Sequence, residues 1–121
     1  MPRPVLDESA IHPAVRHQVA TLHHDLLAEV QAAIARQAVV VLGMSGNPFV
    51  RKARKALDAA GVPHHDLDYG GYLSDWRRRN VLKMWTGWPT FPMVFVKGQL
   101  VGGHDDLQRL IASGELKRLL A

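Results

Sequence analysis

The stretch WPTFPMVFVKGQLVGGHDDL, residues 88–107, carries the most specific pattern in this chain. Residues 93–96 are a short apolar run, which is typical of a buried strand, and residues 99–101 predict a strand that returns beside it. Lys97-Gly98 supplies the tight turn of this β-hairpin. Two glycines then lead into a helix that begins at His104, so the segment predicts a ββα unit with an antiparallel strand pair.

The residues before this segment predict a parallel βαβ unit. Residues 38–42, AVVVL, form a β-branched run typical of a buried strand, and residues 62–69 predict a second strand. Between them, residues 48–60 predict a helix, and Gly61 follows as a typical helix terminator. A third helix, at about residues 73–84, connects this unit to the hairpin. The order predicts an α/β protein with a thioredoxin-like fold, in which a four-stranded mixed sheet is flanked by helices.

An additional helix precedes the first strand. Apolar residues recur at steps of three and four from Val15 to Ile34, which predicts one amphipathic helix of about 20 residues that begins near Pro13. We therefore divide the chain into an N-terminal helical extension, residues 1–37, and a main domain, residues 38–121. Because no linker, repeat or low-complexity segment separates them, we expect a single structural domain overall.

The bulk composition indicates where the protein works. No apolar run approaches the roughly 20 residues that a membrane-spanning helix needs, so we expect no membrane partner. The first residues carry scattered charges and no continuous apolar segment, which argues against a signal peptide. We therefore expect a cytoplasmic location.

The chain contains no cysteine. This absence excludes disulfides, cysteine-ligated zinc and cysteine-ligated iron–sulfur clusters within this chain. It also excludes thiol chemistry by the protein itself, because the thiolate is the nucleophile in disulfide exchange. Histidine offers no alternative metal site, since His17 and His24 share one helical face without a recognisable third ligand. We therefore predict no metal-binding residue and no cofactor that the protein requires.

Basic residues outnumber acidic ones by 15 to 11, which gives a formal net charge of +4. The excess is concentrated in two clusters: Arg51, Lys52, Arg54 and Lys55 in the first, and Arg77, Arg78, Arg79 and Lys83 in the second. Such clusters suit an anionic partner, although a charge run is also typical of a solvated helix face. No helix-turn-helix, RNA-recognition or zinc-finger pattern is present, so a nucleic-acid partner is not our first expectation.

Residues 88–107 resemble the glutaredoxin family, in which a W-P-T-x-P stretch precedes an apolar strand, a turn ending in glycine and a G-G-x-D-D-L segment. Two further stretches are similar to parts of that family: GVPHHDLDY at residues 61–69 and SGEL at residues 113–116. The resemblance covers about residues 39–120, and the N-terminal helix looks like that of monothiol members. It implies a thioredoxin-like fold, and glutathione-dependent disulfide reduction as the family activity.

The resemblance also implies a binding cleft for glutathione. In the family, a proline that matches Pro92 follows a cis peptide bond, and the backbone of the residue before it, here Phe91, pairs with the cysteinyl part of the ligand. Pairing of an extended peptide with a backbone edge is a general mode of peptide recognition. Thr90, Phe91 and Pro92 are therefore candidate ligand-binding residues.

Two positive features would bracket the same ligand. Gly103, His104 and Asp105 open a helix, and the free N–H groups and dipole of a helix N-terminus favour an anion. The resemblance implies that this end receives the γ-glutamyl carboxylate of glutathione and that Arg79 receives the glycyl carboxylate. The expected partner is glutathione itself, or an acidic or extended peptide or protein.

Other residues occupy the two redox positions of the family. NPFV at residues 47–50 aligns with the C-P-Y-C motif, so Asn47 and Val50 stand where the cysteines belong. Asn47 has no redox chemistry, and ahead of Pro48 it suits the N-cap of a helix. The hydroxyl of nearby Ser45 needs a base to become a nucleophile, and no such base is recognisable. We therefore identify no catalytic residue.

These observations predict a glutaredoxin-like protein that lacks the redox cysteines. We expect a non-catalytic binding or regulatory module with a retained glutathione- or peptide-binding cleft, and not an active thiol–disulfide oxidoreductase. Two alternatives stay open: an interaction or nucleic-acid-binding protein that uses the basic surface, and an enzyme with non-thiol chemistry at Ser45 or Asn47.

Overall fold

The structure of the protein, a computed structural model, describes residues 2–121. Its helices and strands follow one another along the chain much as the sequence predicts. In chain order they are α1 (Pro13–Thr21), α2 (His24–Arg36), β1 (Val39–Gly43), α3 (Pro48–Ala59), β2 (His65–Asp68), α4 (Trp76–Thr86), β3 (Met93–Val96), β4 (Gln99–Gly102), α5 (His104–Ser113) and α6 (Glu115–Leu120).

The four strands form one mixed sheet in the order β2-β1-β3-β4. β1 is parallel to β2, whereas β3 is antiparallel to both β1 and β4. The parallel pair is connected through α3, and the antiparallel hairpin is followed by α5. The predicted four-stranded mixed sheet flanked by helices is therefore confirmed, and so is the hairpin that turns at Lys97-Gly98.

The central strand β1 is buried along its whole length, and its alternating side chains lie in two separate cores. Val40 and Leu42 pack with side chains of α2 and α4 on one side of the sheet. Val39 and Val41 pack with side chains of α3 and α5 on the other side. Helices on both faces explain why this strand is a continuous apolar run.

The prediction of one N-terminal helix is wrong, because the structure divides it into α1 and α2 at Leu22 and His23. His23 has a left-handed backbone conformation (φ 46°), and the Thr21 hydroxyl donates a hydrogen bond to the carbonyl of His17 at the end of α1. Of these two helices, α2 buries apolar side chains, among them Leu26, whereas α1 buries none. The apolar spacing continues across the break, so this spacing alone does not distinguish one helix from two.

Two further boundaries differ from the prediction. β2 begins at His65 and not at residue 62, because the Val62 N–H caps the end of α3 by donating to the carbonyl of Leu57 (2.9 Å). α4 begins at Trp76, later than predicted, because Asp75 has a left-handed conformation (φ 57°) that a helix cannot continue through. The residues between β2 and α4 therefore form a longer loop than the sequence suggests.

Asn47 caps the N-terminus of α3, as the sequence predicts. Its Oδ1 accepts hydrogen bonds from the N–H groups of Phe49 (2.9 Å) and Val50 (3.2 Å). Pro48 occupies the start of the helix, where its missing N–H costs no hydrogen bond. The amide thus satisfies two helix N–H groups that would otherwise need water or a ligand.

His64 links the end of α3 to β2 through two carboxylates. Its Nδ1 lies 2.6 Å from Asp66 Oδ1, and its Nε2 lies 2.8 Å from Asp58 Oδ1. Arg54 of α3 balances part of the acidic charge, since its guanidinium contacts Asp66 (3.4 Å) and Asp68 (2.7 Å). Burial alone would lower the pKa of His64, but the hydrogen bonds and charges of Asp58 and Asp66 outweigh it and raise the pKa.

We expect Asn47→Ala to lower the free energy of unfolding by about 0.5–2 kcal/mol, because the variant loses the acceptor of the α3 cap. Asn47→Asp is the matched control, since aspartate keeps an oxygen acceptor and suits the positive end of the helix dipole. Urea denaturation followed by circular dichroism measures both variants. Equal stability of the wild type and Asn47→Ala would contradict the cap.

The raised pKa of His64 predicts a pH-dependent contribution to stability. The folded state favours protonated His64, so its contribution is complete below the unfolded pKa of 6.5 and is lost as the pH rises through the raised folded pKa. We expect His64→Ala to lower the free energy of unfolding by about 1 kcal/mol near pH 6, and by less near pH 9. His65→Ala, at the exposed neighbouring position, is the control. A loss for His64→Ala that stays constant between the two pH values would refute this role.

Candidate functional site

A cleft of about 580 Å³ lies where the N-termini of α3 and α5 meet the segment that precedes β3. Its volume is within the range of typical small-molecule sites, about 300–1,000 Å³. The strand register explains this meeting point, because Leu42 near the end of β1 pairs with Met93 at the start of β3. The loop after β1 and the segment before β3 must therefore lie side by side.

The structure brings all of the predicted ligand-binding residues into the lining of this cleft: Arg79, Thr90, Phe91, Pro92, Gly103, His104 and Asp105. Asn47 belongs to the same lining, whereas Val50 is buried in the core beside β1. Of the two positions that the resemblance assigns to cysteines, position 47 is thus the one that faces the cleft.

The segment from Thr90 to Pro92 presents its backbone to the cleft. The peptide bond between Phe91 and Pro92 is cis, as the resemblance implies. The side chain of Phe91 is buried in the core that also holds Leu42, which leaves the main chain toward the cleft. Asn47 Nδ2 lies 3.5 Å from the Phe91 carbonyl oxygen, at the long limit of a hydrogen bond. A carbonyl has two lone pairs, so this oxygen retains the capacity to accept a bond from a ligand.

The N-terminus of α5 offers backbone donors. The first hydrogen bond of the helix runs from the Leu107 N–H to the carbonyl of Gly103 (3.0 Å), so the N–H groups of residues 104–106 have no acceptor within the helix. Asp106 Oδ2 accepts a hydrogen bond from the Gly103 N–H (3.0 Å). A side chain at Gly102, where φ is 112°, would collide with this carboxylate. The free N–H groups and the helix dipole favour an anionic group on a ligand.

Arg79 is buried, and its Nη1 is already used within the protein. It donates to the carbonyl oxygens of Tyr69 (2.9 Å) and Ser74 (2.5 Å), which lie near the two ends of the loop between β2 and α4. Arg79 therefore holds this loop in place, and the other donors of its guanidinium are left for a ligand in the cleft. The resemblance implies only the ligand role, so sequence reasoning missed the structural one.

Lys83 is a cleft-lining cation that sequence reasoning assigned to a basic cluster and not to the site. Its Nζ lies 5.9 Å from the centre of the Phe91 ring. Within residues 2–121, Lys83 forms no ion pair. Its four-residue spacing from Arg79 on α4 places both side chains on one helix face, and this spacing is the signal that could have identified it.

Two polar atoms of cleft-lining residues are buried without a hydrogen-bond partner in the described part of the chain: Trp88 Nε1 and His104 Nε2. The other ring nitrogen of His104 lies 3.1 Å from Asp105 Oδ1. When neutral His104 donates from Nδ1 to this carboxylate, Nε2 is an acceptor, whereas Trp88 Nε1 is always a donor. Because buried polar groups are normally paired, these two atoms are exceptions in the wall of the cleft.

Ser45, the other candidate for non-thiol chemistry, lies outside the cleft lining. Its hydroxyl donates to the carbonyl of Gly70 (3.1 Å), and a backbone carbonyl is not a base that could activate it. The cleft offers hydrogen bonds and charges, whereas the whole sequence lacks a thiol. A cysteine-ligated iron–sulfur cluster, which the likeness to monothiol glutaredoxins would imply, does not fit because position 47 offers an amide.

Two features are absent from the described residues: a membrane-spanning helix and a group of metal-ligating side chains. No helix within residues 2–121 is long and apolar enough to cross a membrane. In the same part of the chain, no three histidine or acidic side chains are grouped so that they could hold a metal ion.

Comparison with known proteins places the chain in a family. The glutaredoxin family model matches residues 39–101. A protein of Dictyostelium discoideum described as "Glutaredoxin-like protein" is 46% identical over 94 residues, which cover 78% of this chain and 76% of that protein. Monothiol glutaredoxin-S11 of Oryza sativa is 40% identical over 95 residues, which cover 74% of this chain but only 19% of that longer protein.

A solved structure agrees on the fold. The crystal structure of a buckwheat glutaredoxin–glutathione complex matches with a TM-score of 0.69 at 22% identity, over 80% of this chain and 88% of that chain. This likeness confirms the predicted thioredoxin-like fold. Because the family model spans more than half of the sequence and the Dictyostelium relative matches along most of its own length, this cysteine-free chain belongs to the glutaredoxin family.

Proposed function

We propose that the protein binds glutathione as a non-covalent ligand and does not itself reduce disulfides. One observation carries the proposal: a single cleft joins the N-terminus of α5, the backbone of Phe91 and the cations of α4. Glutathione is an extended peptide with a carboxylate at each end. The helix N-terminus and the cations of the cleft suit the two carboxylates, and the Phe91 backbone suits the extended peptide between them. The buckwheat glutaredoxin, which shares the fold, forms a complex with glutathione.

The two ends of the cleft complement the two ends of the ligand. The free N–H groups of residues 104–106 would receive the γ-glutamyl carboxylate, and the carboxylate of Asp105 would attract the neighbouring ammonium group. At the other end, Lys83 and the remaining donors of Arg79 would receive the glycyl carboxylate. The Phe91 backbone between them would pair with the cysteinyl residue.

The amide of Asn47 determines what happens to the bound thiol. A glutaredoxin-type reaction needs a protein sulfur that attacks a disulfide and forms a mixed disulfide. The Asn47 amide has no such atom, and its oxygen is already engaged by the N–H groups of Phe49 and Val50. The ligand would therefore leave the cleft unchanged. We include a cytoplasmic location in this proposal, because glutathione is held there at a reducing poise.

We expect calorimetric titration to detect glutathione binding to the wild type and about fivefold weaker binding to Lys83→Ala. The variant removes one half-exposed cation whose ion pair contributes up to about 1 kcal/mol. Lys55→Ala is the matched control, because Lys55 is an exposed lysine of α3 outside the cleft lining. Failure of the wild type to bind glutathione at several millimolar would refute the proposal.

We expect Asn47→Cys to gain disulfide-exchange activity with glutathione, about tenfold or more above the wild type, because a helix N-terminus favours a reactive thiolate. Asn47→Ser is the matched control, since it keeps a capping oxygen and supplies no sulfur. Turnover by the wild type above the uncatalysed rate would show that the chain has chemistry that does not need a thiol. An inactive Asn47→Cys that still binds glutathione would show that the cleft holds the ligand in another position.

A further inference from the structure

Three exposed aromatic rings border the cleft. The side chains of Phe49, Tyr72 and Trp76 are 51%, 66% and 57% exposed. Phe49 and Tyr72 belong to the cleft lining. Trp76 precedes Arg79 by about one helical turn at the start of α4, so it lies near the cleft but outside its lining. These three rings are called the aromatic rim below.

Hydrogen bonds to its backbone fix the loop before α4, while the side chains of Tyr72 and Leu73 are exposed to solvent. Arg79 Nη1 binds two of its carbonyl groups, and the Ser45 N–H donates to the carbonyl of Gly70 (2.8 Å). Leu73, in the same loop, is fully exposed. Clustered exposed apolar side chains suit an interaction site, and a backbone that is already ordered loses little entropy when a partner binds.

Unpaired cations accompany the aromatic rim. Lys52 Nζ lies 5.4 Å from the centre of the Phe49 ring, and Arg77 Cζ lies 5.2 Å from the centre of the Trp76 ring. Lys83 belongs to the cleft lining. Within residues 2–121, none of these three cations forms an ion pair with an acidic side chain. The exposed carboxylate of Asp75, between Leu73 and Trp76 in the chain, offsets part of this charge. Three cations against this one carboxylate still favour a partner that carries carboxylates.

We propose that the aromatic rim and Leu73 form a docking site for an acidic segment of a partner protein. Apolar side chains of the segment would contact the rings and Leu73, and its carboxylates would contact Lys52, Arg77 and Lys83. A second copy of this chain fits poorly, because two chains of net charge +4 repel each other. A single-stranded nucleic acid would use the rings and the cations but not the aliphatic Leu73. The docking site goes beyond glutathione binding, and it shares Phe49, Tyr72 and Lys83 with the lining of the cleft.

The probe for this site is an acetylated and amidated peptide in which glutamates flank a phenylalanine and a leucine. In titrations of the 15N-labelled full chain, we expect the amide signals of Phe49 and residues 70–78 to shift. The same peptide with lysine in place of glutamate should not bind. Raising the salt from about 50 mM to about 500 mM should weaken binding of the acidic peptide, because exposed charges are screened.

A double variant separates this site from the cleft. Leu73→Ala/Trp76→Ala removes two apolar side chains of the docking site that lie outside the cleft lining. We expect about tenfold weaker peptide binding and unchanged glutathione affinity, since truncation of central aromatic contacts dominates such losses. Val19→Ala/Leu22→Ala is the control, because these apolar side chains are also exposed but lie in the N-terminal extension, outside the docking site.

Several results would overturn the docking site. One is the absence of amide signal shifts up to about 2 mM peptide. Another is equal peptide affinity of Leu73→Ala/Trp76→Ala and the wild type. A third is tighter binding of an oligothymidine than of the peptide. Self-association of the free chain through residues 70–78 would also overturn it, in favour of a second copy as the occupant. Glutathione affinity is measured separately, so its loss would bear on the proposed function alone.

Discussion

The central strand β1 must hide both of its faces from water, and most of the architecture follows from this constraint. Val39 and Val41 require helices on one side, and Val40 and Leu42 require helices on the other. The register then fixes what lies at the end of the sheet. Leu42 pairs with Met93, so the loop that follows β1 must meet the segment before β3. The cleft exists because the sheet brings these connections to one edge, where its candidate functional residues gather.

At that edge the carboxamide of Asn47 occupies the position where the resemblance implies a cysteine thiolate. A thiolate at a helix N-terminus accepts hydrogen bonds from the helix N–H groups, and Asn47 Oδ1 accepts such bonds from Phe49 and Val50. The Asn47 amide therefore makes the hydrogen bonds of a helix cap without supplying a nucleophile. The cleft beside it contains the cis peptide bond before Pro92 that the resemblance implies.

Elements that depend on one dominant interaction could be predicted from the sequence. Features that depend on several weak, competing interactions could not. The buried strands, the hairpin and the Asn47 cap follow from apolar runs and local hydrogen bonding, and all are present. The break at His23 is not readable, because apolar spacing is the same in one helix as in two. The structural role of Arg79 was hidden too, since its acceptors are backbone carbonyls that carry no sequence signal. Side-chain identity likewise says nothing of exposure at Trp76, which only packing decides.

Asn47 and the absence of cysteine have a consequence for how the protein would respond to its surroundings. A cleft built on a thiol exists in oxidised and reduced forms, and its affinity changes with the electron balance of the cell. This cleft has no thiol–disulfide couple of its own, so the groups around position 47 are the same in either condition. Its affinity would therefore not change with oxidative stress, and its occupancy would follow the concentration of its ligand.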